Sequence, residues 1–144
     1  VSAGFLIDTN VLSELMRPTP APQVLDWFAA QAPSQLHTSV ITYAEILAGI
    51  ALSPAGKRSE AMAQAARQIF EEDFAGRCLD FGGLAVGRYA MVRAQRQLAR
   101  RPIDTADAQI AAIALVANLE LVTRNTKDFV GIEGLKLNNP WQDH

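Results

Sequence analysis

Hydrophobic residues along this chain come in two textures. One short run, Phe5-Leu6-Ile7, is unbroken by polar residues and stops abruptly on Asp8, and a further strand, Glu120-Leu121-Val122-Thr123, ends at Arg124-Asn125. Such an unbroken run suits a strand covered on both faces at the centre of a parallel sheet better than a half-exposed hairpin strand. Elsewhere apolar positions recur at helical spacing. A short helix is predicted from Asn10 to Met16, stopped by Arg17-Pro18-Thr19-Pro20, because a proline bars the residue before it from helical geometry. A second begins at Pro22, with Val24, Leu25, Trp27 and Phe28 as its apolar side, and ends near Ala32-Pro33. Gln35 to Val40 reads as a short strand. Thr42-Tyr43-Ala44-Glu45 opens a third helix with Ile46, Leu47 and Ile50 inward, closed by Gly49 and Ser53-Pro54-Ala55-Gly56.

The second half repeats the alternation. Lys57 to Phe74 reads as a surface helix with Met62, Ala66, Ile69 and Phe70 as its stripe, and Cys78 to Phe81 as a short strand. Leu84 to Arg100 is a helix carrying Val86, Tyr89, Ala90, Val92 and Leu98. Ala108 to Ala117 is interrupted only by Gln109, which marks a helix buried on most sides, and Leu135-Lys136-Leu137 is a last strand. No repeat, low-complexity tract or linker divides the chain. Strands alternating with helices predict a single-domain α/β fold over residues 1–144, with a mainly parallel sheet flanked by helices.

Composition narrows the class. At 144 residues, 49% hydrophobic and 19% charged, the chain is an ordinary globular sequence with enough length for one core. Its single cysteine, Cys78, allows no internal disulfide. No run approaches the roughly 18–20 apolar residues of a membrane span, and the start lacks a signal-peptide pattern, so a cytoplasmic protein is expected. A net charge of −2 argues against holding nucleic acid by bulk electrostatics. A nucleic-acid role would need a local basic patch or a metal.

Polar residues gather at the mouths of the predicted elements: Asp8 after the first strand, Glu45 opening the third helix, Asp104 and Asp107 opening the buried helix, and Asn125 with Asp128 beyond the fourth strand. Each has a plain structural role open to it. Thr42 to Glu45 has the spacing of a capping box, Asp104 suits a helix N-cap with Asp107 in the first turn, and Asp8-Thr9-Asn10 could form an Asx turn with a cap. Taken together they say more. Helices as apolar as those opened by Glu45 and Asp107 should start close to the sheet edge where Asp8 emerges, the edge at which open α/β sheets bind ligands. Crowded carboxylates repel, and a divalent cation relieves them. Magnesium prefers oxygen ligands and uses one or two carboxylates. A zinc site is not offered, since His37 and His144 are isolated and Cys78 has no partner. Such an acid cluster suits metal-assisted phosphodiester hydrolysis.

Four segments then carry a resemblance: Phe5-Leu6-Ile7-Asp8-Thr9-Asn10-Val11-Leu12, Ser39-Val40-Ile41-Thr42-Tyr43-Ala44-Glu45-Ile46, Pro102-Ile103-Asp104-Thr105-Ala106-Asp107-Ala108-Gln109-Ile110-Ala111-Ala112, and Leu121-Val122-Thr123-Arg124-Asn125-Thr126-Lys127-Asp128-Phe129. In this order they resemble the PIN-domain ribonucleases, within them the VapC/FitB-like toxins of type II toxin–antitoxin systems, and Asn139-Pro140-Trp141 resembles the FitB-type branch. The resemblance implies a PIN-like fold, a homodimer, Mg2+- or Mn2+-dependent cleavage of RNA by an activated water, and a cognate VapB/FitA-like DNA-binding antitoxin that blocks the pocket, with a dimer of toxin dimers as one arrangement of the complex. It places Asp8, Glu45 and Asp107 on the family's first three acidic positions, with Asp8 and Asp107 as metal ligands and Glu45 acting through water or on the nucleophile. The fourth position holds Asn125, an amide that can donate but supplies no charge. Asp128 is a candidate substitute, Asp104 a cap or secondary ligand, and Thr9 and Thr123 are candidates to hydrogen-bond the acids.

For substrate contact, Arg93, Arg96 and Arg100 lie at helical spacing, which fits either a phosphate-binding stripe or a solvated helix face. Trp27 and Trp141 read as packing residues. Two other function classes stay open: an aspartyl-phosphate phosphotransfer domain, which also puts an aspartate at a strand end, and a non-catalytic binding module on the same fold.

Overall fold

The computed structural model describes residues 4–142. His144, expected to stand alone, lies outside the described residues. Five parallel strands form one sheet: β1 (Phe5–Ile7), β2 (Leu36–Ser39), β3 (Cys78–Leu79), β4 (Glu120–Val122) and β5 (Leu137–Asn138), in the order β3-β2-β1-β4-β5. Six helices join them: α1 (Thr9–Leu15), α2 (Pro22–Ala29), α3 (Val40–Leu52), α4 (Lys57–Arg67), α5 (Gly83–Leu98) and α6 (Thr105–Ala117). Among the described residues no helix is long and apolar enough to cross a membrane.

The unbroken apolar run at the start behaves as its pattern predicts. Successive side chains on a strand point to opposite faces, and both faces of β1 are covered. Leu6 packs with the α5 and α6 layer, whereas Ile7 packs with Val11, Leu12, Val24 and Phe70 on the other side. Leu121 and Val122 on β4 divide the same way. The result is a three-layer sandwich in which β1 is the middle strand. Each aliphatic side chain buried here is worth about 1.5–3 kcal/mol in transfer free energy. Helix α6 lies deepest. Its Ala108, Ala111, Ala112 and Ala114 are fully buried, and so much alanine lets a helix approach the sheet closely.

Several boundaries differ from the sequence reading for physical reasons. The third helix starts at Val40, because Ser39 is its N-cap and takes the Thr42 N–H on its hydroxyl at 3.1 Å. Thr42 to Glu45 is therefore not a capping box, and Glu45 is released from that duty. Gly49 does not end α3, which continues to Leu52. The helix expected from Lys57 to Phe74 changes pitch, running as α4 to Arg67 and then as a π-helical turn over Gln68–Asp73 that sets Phe70 into the core. Asp104 occupies the N-cap position of α6, yet its side chain makes no capping hydrogen bond.

The expected arginine stripe is also corrected. Arg96 is buried, donating from Nε to the Arg101 carbonyl at 2.7 Å and from Nη1 to the Asp128 carbonyl at 2.9 Å, so it ties the loop before α6 to the loop after β4. Arg93 is bound to the Tyr89 and Thr105 hydroxyls, and Arg100 lies past the end of α5 with φ of 57°. Of the three, Arg93 and Arg100 are exposed and Arg96 is withdrawn from solvent.

The chain enters β1 through Gly4, whose φ of +144° is disfavoured for L side chains and whose absent Cβ would sit 2.5 Å from the Gln35 carbonyl oxygen. Gly4→Ala should therefore destabilise the fold by about 2 kcal/mol or more and lower the melting temperature by roughly 4–8 °C, measured by thermal denaturation. An unchanged melting curve would contradict that close approach.

Candidate active site

From β1 the chain steps outward to β2 and β3, then returns across the sheet to β4 and β5 on the other side. The topological switch point thus lies between β1 and β4, the place beyond the carboxyl ends of the strands at which open α/β sheets bind ligands. Asp8 stands there. It is the N-cap of α1 and 3% exposed, and each of its carboxylate oxygens is engaged. Oδ1 accepts the Thr9 N–H at 2.8 Å; Oδ2 accepts the Thr123 hydroxyl at 2.8 Å and the Asn10 amide at 3.1 Å. Burial pushes the Asp8 carboxyl above its ordinary value and Glu45 adds to the push, while the three donors pull the other way.

Asn10 joins two loops. Its Nδ2 donates to Asp8 and also to the Thr123 hydroxyl at 3.2 Å, and its Oδ1 accepts the Arg124 N–H at 3.0 Å. Thr123, wholly buried at the end of β4, in turn accepts the Asn125 N–H at 3.1 Å. Thr9 reaches the other way. Its hydroxyl donates to Glu45 Oε1 at 2.6 Å and lies 3.2 Å from the Thr42 hydroxyl. Thr9 and Thr123, read from sequence as partners for the acids, have that geometry.

Asp107 is held differently. It lies half-buried in the first turn of α6, and among the described residues no side-chain or backbone donor reaches its carboxylate. Burial is the main cause that lifts its pKa to about 7, followed by repulsion from Asp8, Asp104, Asp128 and Glu45. The fold therefore brings the other four acids singled out in the sequence within electrostatic reach of Asp107. Asn125 is exposed just beyond, without a side-chain partner among the described residues, and Asp128 closes a 3-10 turn by donating its N–H to the Asn125 carbonyl.

Whether this donor set fits a cation can be judged from its chemistry. Among the described residues no three His, Cys, Asp or Glu side chains close into a protein cage for an ion. A hydrated magnesium ion does not require one, since it keeps several waters and takes one or two carboxylates. The repulsion that raises Asp107, and the single hydrogen bond on Asp8 Oδ1, match that smaller demand. A groove of about 730 Å³ adjoins the acids, running from Thr9 and Glu45 past Met16, Ile50 and Met62 to Lys57 and Arg58. Of the Met62, Ile69 and Phe70 stripe, Phe70 is core, Ile69 packs against it and Met62 faces this groove.

Two functional candidates escaped the sequence reading. Glu14 is buried at the end of α1, where its Oε2 accepts the Ala21 N–H at 2.8 Å and its Oε1 pairs with Arg17 at 3.2 Å. That backbone hydrogen bond is the main cause holding its carboxyl below the ordinary range. Arg124 lies beside the site with its guanidinium 4.7 Å from the Trp141 ring centre. Nothing in the spacing of Glu14 or Arg124 marks them, since both depend on how the β1 and β4 loops meet.

Comparisons with known proteins agree with this architecture. The family model described as PIN domain matches residues 5–134. Plasmid stability protein StbB of Pseudomonas syringae pv. tomato is 43% identical over 137 residues, covering 95% of this chain and 98% of the relative. VapC ribonuclease Y4jK of Sinorhizobium fredii is 38% identical over 137 residues, 95% and 97%. Toxin FitB of Neisseria gonorrhoeae is 35% identical over 138 residues, 96% and 99%. The structure of FitAB bound to an IR36 DNA fragment superposes with a TM-score of 0.89 at 33% identity, covering 97% of each chain. Matched by the family model over most of its length and by relatives above 30% identity along nearly all of it, the chain belongs to the PIN domain family.

Proposed function

We propose that this PIN domain protein is a divalent-metal-dependent endoribonuclease, the toxin of a toxin–antitoxin pair held silent by a DNA-binding antitoxin. The observation that carries the reading is the gathering at one sheet edge of Asp8, Glu45, tied to the Asp8 loop through Thr9, and Asp107, a half-buried carboxylate without a donor among the described residues and repelled by both. Relatives named as a VapC ribonuclease and as the toxin FitB, together with the FitAB–DNA structure, support the choice of RNA and of an antitoxin partner.

In this reading Asp8 and Asp107 hold the ion, Mg2+ or Mn2+. Bound there, the ion would polarise the phosphate and acidify a water. The chain's own residues do the rest. Thr9, Asn10 and Thr123 fix both oxygens of Asp8, so its orientation is set before substrate arrives. Glu45 Oε1 is occupied by the Thr9 hydroxyl, whereas Oε2 has no donor among the described residues and is free to take the proton of the attacking water. The Asn125 amide can donate to a phosphate oxygen but brings no charge. The groove from Glu45 to Lys57 has apolar walls of Met16, Ile50 and Met62 suited to an apolar segment of the antitoxin, and a second copy of the chain completes the expected homodimer.

Asp8→Asn should remove Mg2+-dependent RNA cleavage, by about a hundredfold or more, and relieve growth arrest on expression; chelation with EDTA should abolish cleavage by the parent protein. Cleavage unchanged by either treatment would reject the assignment, and stable phosphate on Asp8 would point to a phosphotransfer domain instead.

The pH dependence has a defined sign. The folded Asp107 carboxyl titrates at about 7 against an ordinary 3.8, so its contribution to metal-free stability is full below about pH 4 and is lost as pH rises through 7. Asp107→Asn should therefore melt higher than the metal-free parent near pH 8, with the advantage shrinking toward pH 4. Cleavage by the parent should rise with pH and do so at lower pH as the cation concentration is raised, because proton and cation compete for the same carboxyl. Equal melting temperatures near pH 8 would mean that neither burial nor neighbouring acids disfavour the Asp107 charge.

A further inference from the structure

The net charge of −2 leaves the protein no general attraction for RNA, so the substrate must find cations placed locally. Of the α5 arginines, Arg96 is buried on backbone carbonyls, and Arg93, exposed and 5.8 Å over the Tyr89 ring, already gives its Nη1 to the Tyr89 and Thr105 hydroxyls. Arg17 is exposed but paired with Glu14 at 3.2 Å. That is the one salt bridge among the described residues.

Arg124 is exposed and directly follows Thr123, and among the described residues its side chain makes neither a salt bridge nor a hydrogen bond, although its charge is felt at Glu14. Its main chain is held from both sides: the N–H donates to Asn10 Oδ1 at 3.0 Å, and the carbonyl accepts the Asn139 amide at 3.3 Å. Asn10 is the residue whose amide donates to Asp8, so two hydrogen bonds in series register Arg124 against the central acid. The side chain is fixed as well. Its guanidinium lies 4.7 Å from the centre of the Trp141 ring, and the Trp141 N–H is anchored at 2.9 Å on Asn139 Oδ1, the other end of the amide that holds the Arg124 carbonyl. Stacking on an indole face holds a guanidinium while leaving its planar N–H edge free for a bidentate phosphate contact.

We propose that Arg124 is the phosphate-binding residue of the site, receiving an RNA backbone phosphate next to the one cleaved, and that Trp141 is its positioning residue. The proposal rests on the ribonuclease reading above. It gives Trp141 a purpose beyond packing and adds a fixed positive charge beside the acids to those of Lys57 and Arg58 along the groove.

The test is binding of a short unstructured RNA of mixed sequence, followed by fluorescence anisotropy across a potassium chloride series, with Asp8→Asn as the common background to prevent cleavage. Loss of one phosphate contact on a single strand lowers the slope of log affinity against log salt by about 0.7. Arg124→Gln should show that decrease and bind several-fold more weakly at low salt, with its melting temperature retained. Arg124→Lys should keep the slope and lose part of the affinity, as should Trp141→Leu, because the charge remains while its placement is relaxed. In the Asp8-containing protein, Arg124→Gln should raise KM and leave kcat near the parent value. A parental slope and affinity in Arg124→Gln would overturn the proposal, as would a variant that binds RNA normally but loses the antitoxin. Failure of the ribonuclease reading appears separately, as cleavage indifferent to Asp8→Asn, while the salt slope reports on Arg124 alone.

Discussion

A carboxylate taken out of water has to be repaid with donors, and the placement of Asp8 makes that debt a condition of the fold. An ionised group left unpaired in such a position costs several kcal/mol. Asp8 meets three donors drawn from two separate pieces of chain, the first turn of α1 and the end of β4. The pairing of β1 with β4, which sets Ile7 opposite Val122, is what brings Thr123 to it. A slip of one residue in that register would turn the Thr123 hydroxyl to the other face and strand the charge. Site and sheet therefore specify each other.

Around that fixed point the other acids are arranged by contrast. Asp8 is deep and hydrogen-bonded on both oxygens; Asp107 is shallower and has repulsive neighbours where Asp8 has donors. Burial pushes both carboxyls above their ordinary value; donors hold Asp8 in a set direction, and Asp107 has none among the described residues. Glu45 stands at the rim, tied through Thr9 to the loop that carries Asp8. Environments of this kind let three chemically similar side chains take different parts in one reaction. The helices that present Asp107 and Glu45 can do so because their own buried faces are apolar enough to anchor them without help from the acids.

How far the sequence alone could go depended on whether a residue's role was local. The middle strand, the Pro22 helix start and the buried alanine-rich helix were legible, because unbroken runs, Pro at a first helical turn and alanine-dense stretches report directly on nearby burial. The acids were legible as a group through their places at element ends. The capping box at Thr42 was misread because Ser39, three residues earlier, caps the helix instead, and two acceptable caps close together cannot be ranked without the strand that precedes them. Helical spacing put Arg96 with Arg93 on one face, but its guanidinium is consumed by two loop carbonyls that no periodicity reveals. Asn10 looked like an ordinary turn residue. Its bridge between Asp8, Thr123 and Arg124 exists only because segments more than a hundred residues apart meet at one sheet edge.

The outer strands of the sheet, β3 and β5, are two residues long apiece. A border that brief offers too few vacant N–H and C=O groups to template an incoming strand from another molecule. Edge-to-edge pairing of sheets between molecules is thereby disfavoured by the brevity of the borders, with the exposed Lys136 beside β5 as a further guard.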